Sequence, residues 1–240
     1  MKIEKYNMSM GEVIEETTRR FRFNVGYNPA KPTSYENFIV TELTEGNINN
    51  MKKCIDDYEV AFIAGSRREI KDIPNNGRWT RNKDVELFRN KGPYALSKQE
   101  NVERDNELDA AIQSFGLKRT NNLKGLFPEG GKPSWDYTFF VWNENKNPDF
   151  YNTLFMLSEW YNQDNFLYKA IGSDDFYFIG TNNSWPGYGK KELCGDNIAW
   201  NTINKYMTQV SANKSLVITS EPIRITQSFK DLSEEQIQSI

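Results

Sequence analysis

The chain has 240 residues, 38% of them hydrophobic and 14% aromatic, with 30 basic against 33 acidic side chains; that is enough apolar surface to build a core without disulfide or metal staples. Histidine is absent, which excludes Ser–His–Asp and Cys–His nucleophiles and imidazole-bound metals, and two cysteines, Cys54 and Cys194, are too few for a thiolate zinc or iron–sulfur site. A net charge of −3 argues against a whole-surface grip on nucleic acid, no apolar run approaches the ~20 residues of a membrane span, and Met1–Met10 lacks a secretory apolar core; a cytoplasmic protein with two buried free thiols is expected.

Residues 1–57 read as an N-terminal extension packing on a core. It holds a possible short helix at Gly11–Arg20, the turn-rich run Tyr27–Ser34, the apolar Phe38–Val40, and a helix with Ile48, Met51, Cys54 and Ile55 on one face. Tyr58–Ala64 is rich in β-preferring residues and ends at Gly65-Ser66, the pattern of a central strand. Regular structure is then expected to lapse. Arg67–Lys91 carries eight basic residues against four acidic ones, a basic insertion (67–96) with Trp79 and Phe88 interleaved.

Ser97-Lys98-Gln99-Glu100 has capping-box spacing and predicts a helix start. Leu108, Ala111, Ile112 and Phe115 follow on one face and Gly116 suits the left-handed stop, with Glu103, Asp105 and Glu107 expected to face water. Two strands are predicted at Leu117–Leu126 and Tyr137–Trp142. Asn147-Pro148 is read as the start of a helix striped by Phe150, Leu154, Leu157 and Tyr161, followed by strands at Phe166–Ile171 and Asp175–Ile179. Beyond the 58–183 core, a C-terminal extension (184–240) has weaker patterns: a short helix near Ala199–Met207, a strand at Ser215–Thr219 and a helical tail at Leu232–Ile240.

The expected fold class is α+β, a β-α-β-β-α-β unit of ferredoxin-like type with N- and C-terminal extensions. Its chemistry is read as binding rather than catalysis. Ser66 and Arg67 just past the first strand, with Glu100, Asn101 and Arg104 in the first helical turns, form an anion-suited loop and helix start; the alternative is that Glu100 only caps and Arg104 pairs with a carboxylate on a solvated face. Arg78, Trp79 and Arg81 in the basic insertion combine cations for phosphates with an aromatic face for bases, or else form a mixed-charge loop docked on the core. Phe139, Phe140, Trp142, Tyr168, Phe176, Tyr177 and Phe178 form either an open aromatic platform for RNA or core filling, and the RNP pattern is absent. Asp56, Asp57, Glu59, Asp174 and Asp175 leave a magnesium-dependent phosphoryl-transfer enzyme as an alternative. No glycine-rich phosphate loop is found, and no catalytic residue, cofactor or metal site is assigned.

Three segments together resemble a family of uncharacterised tailed-bacteriophage proteins and, more distantly, a bacterial domain of unknown function. They are the strand ending in Gly65-Ser66-Arg67, the helix with Ser97, Glu100, Asn101, Arg104 and Leu108, and Phe139-Phe140-Val141 with the later Tyr161-Asn162-Gln163-Asp164. Asp175–Asn182 matches the next strand. The likeness spans roughly residues 58–183, departs from the family by inserting Glu69–Leu96, and has Trp135-Asp136-Tyr137-Thr138 in place of the usual Glu-Glu-Ser lead. It implies an accessory protein of a phage-infected cell and carries Ser66, Glu100, Asn101, Arg104 and Gln163 over as matched polar positions. Its partner is expected to be a protein, with nucleic acid as an alternative, no membrane, and a virion role also open.

Overall fold

The computed structural model describes residues 45–74, 80–120, 123–129, 132–200, 207–211 and 214–219. The expectations for Gly11–Arg20, Tyr27–Ser34, Phe38–Val40, Arg78, Trp79 and Leu232–Ile240 lie outside them. The described chain is α+β, with helices packed on an antiparallel sheet. In chain order the elements are α1 (Glu45–Asp57), β1 (Val60–Ile63), β2 (Glu69–Ile70), α2 (Asn82–Lys91), β3 (Tyr94–Ala95), α3 (Lys98–Ser114), β4 (Lys118–Arg119), β5 (Leu123–Glu129) and β6 (Lys132–Trp142). There follow α4 (Phe150–Trp160), β7 (Asn165–Lys169), β8 (Phe176–Gly180), β9 (Lys191–Gly195), β10 (Asn197–Trp200), β11 (Met207–Ser211) and β12 (Lys214–Thr219).

Ten strands form one sheet in the order β10-β12-β11-β5-β6-β1-β7-β8-β9, with β4 also on β6. The long strand β6 makes this possible: its second half pairs with β1 and β4, and Thr138 back to Lys132 pairs with β5. β1 lies between β6 and β7, with Phe62 opposite Phe140 and Leu167, and is buried on both faces. Period-2 alternation then divides the apolar residues into two cores. Ala61, Ile63, Phe139, Val141, Phe166 and Ile179 meet Leu108, Ala111 and Ile112 of α3 and Phe150, Leu154 and Leu157 of α4. Val60, Phe62, Phe140 and Phe176 face the other way, onto Met51 and Ile55 of α1 and Leu216 of β12. Phe139, Phe140 and Phe176 therefore fill cores, with Trp142, Tyr168 and Tyr177 packed against them partly buried, while Phe178 is buried against Trp185.

Local signals explain the best-defined helix. Ser97 accepts from the Glu100 amide while the Glu100 carboxylate accepts from the Ser97 amide, a complete capping box. At the other end Gly116 has φ +71, its amide donates to Gln113 and the Leu117 amide to Ile112, which together make a Schellman stop. Asn147-Pro148, in contrast, falls in the turn ahead of α4, whose cap residue is Asp149 without a side-chain cap bond.

Four expectations are corrected. The described residues of the 67–96 insertion are not without regular structure: β2 and β3 form a two-stranded ladder and α2 lies between them in the chain. Asp105 is 1% exposed and Glu107 is bound to Arg81, so neither faces water as a free carboxylate. Ala199–Trp200 and Met207 belong to strands, not to a helix, and β9 to β12 join the main sheet. Cys54 and Cys194 are free but only partly buried.

Candidate functional site

Strand β1 ends where the chain must cross α3, and the crossing is close: a Cβ on Gly65 would stand 2.8 Å from the Arg104 carbonyl oxygen. Only a glycine admits that approach without displacing the helix. Past it, each backbone group of residues 65–67 is claimed by a side chain. Asp105 Oδ1 accepts from the amides of Gly65 (3.2 Å) and Ser66 (2.8 Å). Asn101 makes a reciprocal pair with Arg67, accepting from its amide at 3.0 Å and donating to its carbonyl at 2.9 Å, as a neighbouring strand would. Gln163 Nε2, from the segment between α4 and β7, donates to the carbonyls of Ser66 (3.1 Å) and Gly65 (3.3 Å).

Beneath this turn lies an ionic network. Arg104 is fully buried; its Nε donates to the Gly65 carbonyl at 2.7 Å, Nη1 to Asp84 and Nη2 to the Tyr161 carbonyl, and its guanidinium lies 5.7 Å from the Tyr161 ring centre. Burial pulls its pKa down against the opposing attraction of Asp84, yet a guanidinium starts so high that it keeps its charge. Arg81 grips both oxygens of Glu107, at 2.6 and 2.8 Å, and reaches Asp84 at 3.1 Å. Burial opposes its charge, but hydrogen bonding and attraction to Glu107, then Asp84, outweigh that and raise its pKa. Tyr94 is pushed up to about 12 by burial and by the Asp84 charge.

Arg67 is held differently. Its side chain is 9% exposed and makes one ion pair, Nη2 to Asp164 Oδ1 at 3.2 Å, with Asp164 42% exposed and also accepting from Asn182 at 2.7 Å. Among the described residues, Arg67 Nε and Nη1 and Ser66 Oγ are buried without a hydrogen-bond partner. The loop after β8 borders this same sheet end: Asn165 Nδ2 donates to the Trp185 carbonyl, Trp185 packs on Phe178 and Tyr188 on Phe155, yet Trp185 is 55% and Tyr188 46% exposed.

Thus Ser66, Arg67, Arg81, Glu100, Asn101, Arg104 and Gln163 gather around one strand end, although Glu100 serves the α3 cap and Arg81 turns inward onto carboxylates. Arg104 pairs with a carboxylate, but in the interior rather than on a solvated face. Sequence reasoning missed Asp84, Asp105, Glu107 and Asp164. A signal existed for one of them: Asn101, Arg104 and Asp105 continue the face of Leu108 and Ile112 at helical spacing, so polar residues stood at core-facing positions. Of the acids weighed for a metal, Glu59 is engaged by Asn143 and Tyr168, and Asp175 by Tyr177. Among the described residues no group of three or more Cys, Asp or Glu side chains is placed to hold a metal ion, and no helix is long and apolar enough to cross a membrane. No protein-family model, curated protein or solved structure matches the chain.

Proposed function

We propose that this is a bacteriophage-related accessory protein of the infected cell's cytoplasm that acts by binding a macromolecular partner, a protein, at the end of the sheet where β1 stops. One observation carries the reading: the Arg67–Asp164 pair and the exposed rings of Trp185 and Tyr188 border the same sheet end, and Trp, Tyr and Arg are the residue types that anchor interfaces. The framework supports it. β1 and β5 flank β6, β6 and β7 flank β1, and every neighbouring pair is antiparallel, the split β-α-β arrangement of the ferredoxin-like class to which we assign the core. Arginines and carboxylates tied to one another suit holding better than proton transfer.

The basic insertion gives a second reading, nucleic-acid binding, favoured by the exposed Arg68, Lys71, Arg89 and Lys91. Tagged protein expressed during infection separates the two. A retained protein partner should be lost with Trp185→Ala and Tyr188→Ala but kept when Arg89 and Lys91 are neutralised. Capture that ignores the two rings, with salt-sensitive binding of short DNA or RNA, would overturn the protein-partner reading in favour of the second.

A further inference from the structure

Three arginines meet at the end of β1, and they differ in how fully they are used. Arg104 commits all three guanidinium nitrogens to protein acceptors, and so does Arg81. Arg67 commits one, and Nε and Nη1 stay bare although the residue is 8% exposed. A buried, charged donor without an acceptor is expensive, and native proteins retain few without a reason. The backbone of Arg67 is meanwhile clamped on both sides by Asn101, and that of Ser66 by Asp105 and Gln163. The side chain is therefore presented from a fixed base, with the unpartnered Ser66 hydroxyl belonging to the neighbouring residue.

Its one acceptor is shared: the Asp164 oxygen that Arg67 reaches is bound more closely by Asn182, at 2.7 Å. Asp164 offers Arg67 a single oxygen at 3.2 Å, near the long end for a hydrogen bond, and is the half-exposed member of the pair. We infer that Arg67 is an oxyanion-binding residue whose ligand is a carboxylate or phosphate group presented by the partner, with Asp164 holding the place until that group arrives. A donor-only, permanently charged guanidinium with spare nitrogens calls for an acceptor with several lone pairs and a negative charge, which both groups supply. Replacing Asp164 on Nη2 gives the incoming group a position beside the unused nitrogens. The inference rests on the partner-binding reading for its source of ligand, but the anion site is testable without the partner.

The test titrates inorganic phosphate, and separately acetate, into the full chain at constant ionic strength, following the Arg67 Nε–Hε resonance by NMR. Either anion should shift that resonance saturably, and the stronger of the two names the group. Asp164→Asn removes the competing charge and should tighten binding about two- to fivefold, the value of a half-exposed ion pair. Arg67→Gln should abolish anion binding while near-UV circular dichroism stays native. If Arg67→Gln does not fold, Asp164→Asn decides alone. No shift with either anion, or affinity unchanged or weaker in Asp164→Asn, overturns the anion site. Anion binding that survives while partner capture ignores Trp185 and Tyr188 would instead overturn only the docking reading.

Discussion

Arg104 heads the fully buried side chains by volume, ahead of Tyr161 and Phe140, and a charge in that position survives only because Asp84 and two carbonyls answer it. Asp84 answers Arg81 as well, so one carboxylate separates two guanidinium groups. Asp84→Asn should therefore cost about 3–5 kcal/mol in urea unfolding, since it leaves buried arginine charge uncompensated. Lys83→Ala, one residue away, breaks the exposed pair with Glu103 and removes one of the charges near Glu100, and should stay within about 1 kcal/mol. Equal losses in the two variants would mean that Asp84 is not the keystone of the network. Sequence alone located Arg104 and Asn101 but not the acids that complete the site, because Asp84 lies 20 residues from Arg104 and a helical acid such as Asp105, which binds the Gly65 and Ser66 amides, is by default a solvated one.

The α3 helix was legible from end to end, because a capping box and a left-handed glycine are signals contained within a few consecutive residues. The insertion was not. Its α2 has no side-chain cap bond and a mixed-charge sequence, and it is fixed by Arg81, whose amide reaches the Trp160 carbonyl and whose side chain reaches α3, contacts no local pattern announces. The cap on α3 also carries a titration. Partial burial would raise the Glu100 pKa, but its bonds to Ser97 and the charges of Lys83 and Lys91 outweigh this and lower it. A carboxylate whose pKa falls on folding adds stability that is complete above its unfolded pKa, about 4.3, and lost as pH falls through the lower folded value. Glu100→Gln keeps an acceptor for the Ser97 amide without the charge. Its deficit against the parent chain should be greatest near neutral pH and shrink as pH falls below the unfolded pKa and through the lower folded one, as read from thermal unfolding; a deficit independent of pH would assign the cap no ionic component.

The C-terminal strands decide whether this sheet has one covered face or two. β9 and β10, at opposite ends of the strand order, are separated only by Asp196, and β9 lies against β12 without pairing with it. The sheet thus rolls around its second core, and the seam is closed by packing rather than by a ladder. None of this was readable in advance: alternation in a strand tells which residues face inward, not which distant strand completes the enclosure. Cys194 reports on the seam, since it sits on β9 beside β12, its Sγ 3.9 Å from the Ile218 carbonyl, and burial pushes its pKa up to about 12. With so little thiolate at pH 8, alkylation of Cys194 in a Cys54→Ala background should run on the order of a hundredfold slower than in the unfolded chain. Ile218 packs against the same core, so Ile218→Ala should loosen the seam and speed the reaction by tenfold or more, while helix content by circular dichroism is retained. A native Cys194 that reacts as fast as a free thiol would mean that the seam stands open in solution, and β10 to β12 would then be an appendage to the sheet rather than the wall of its second core.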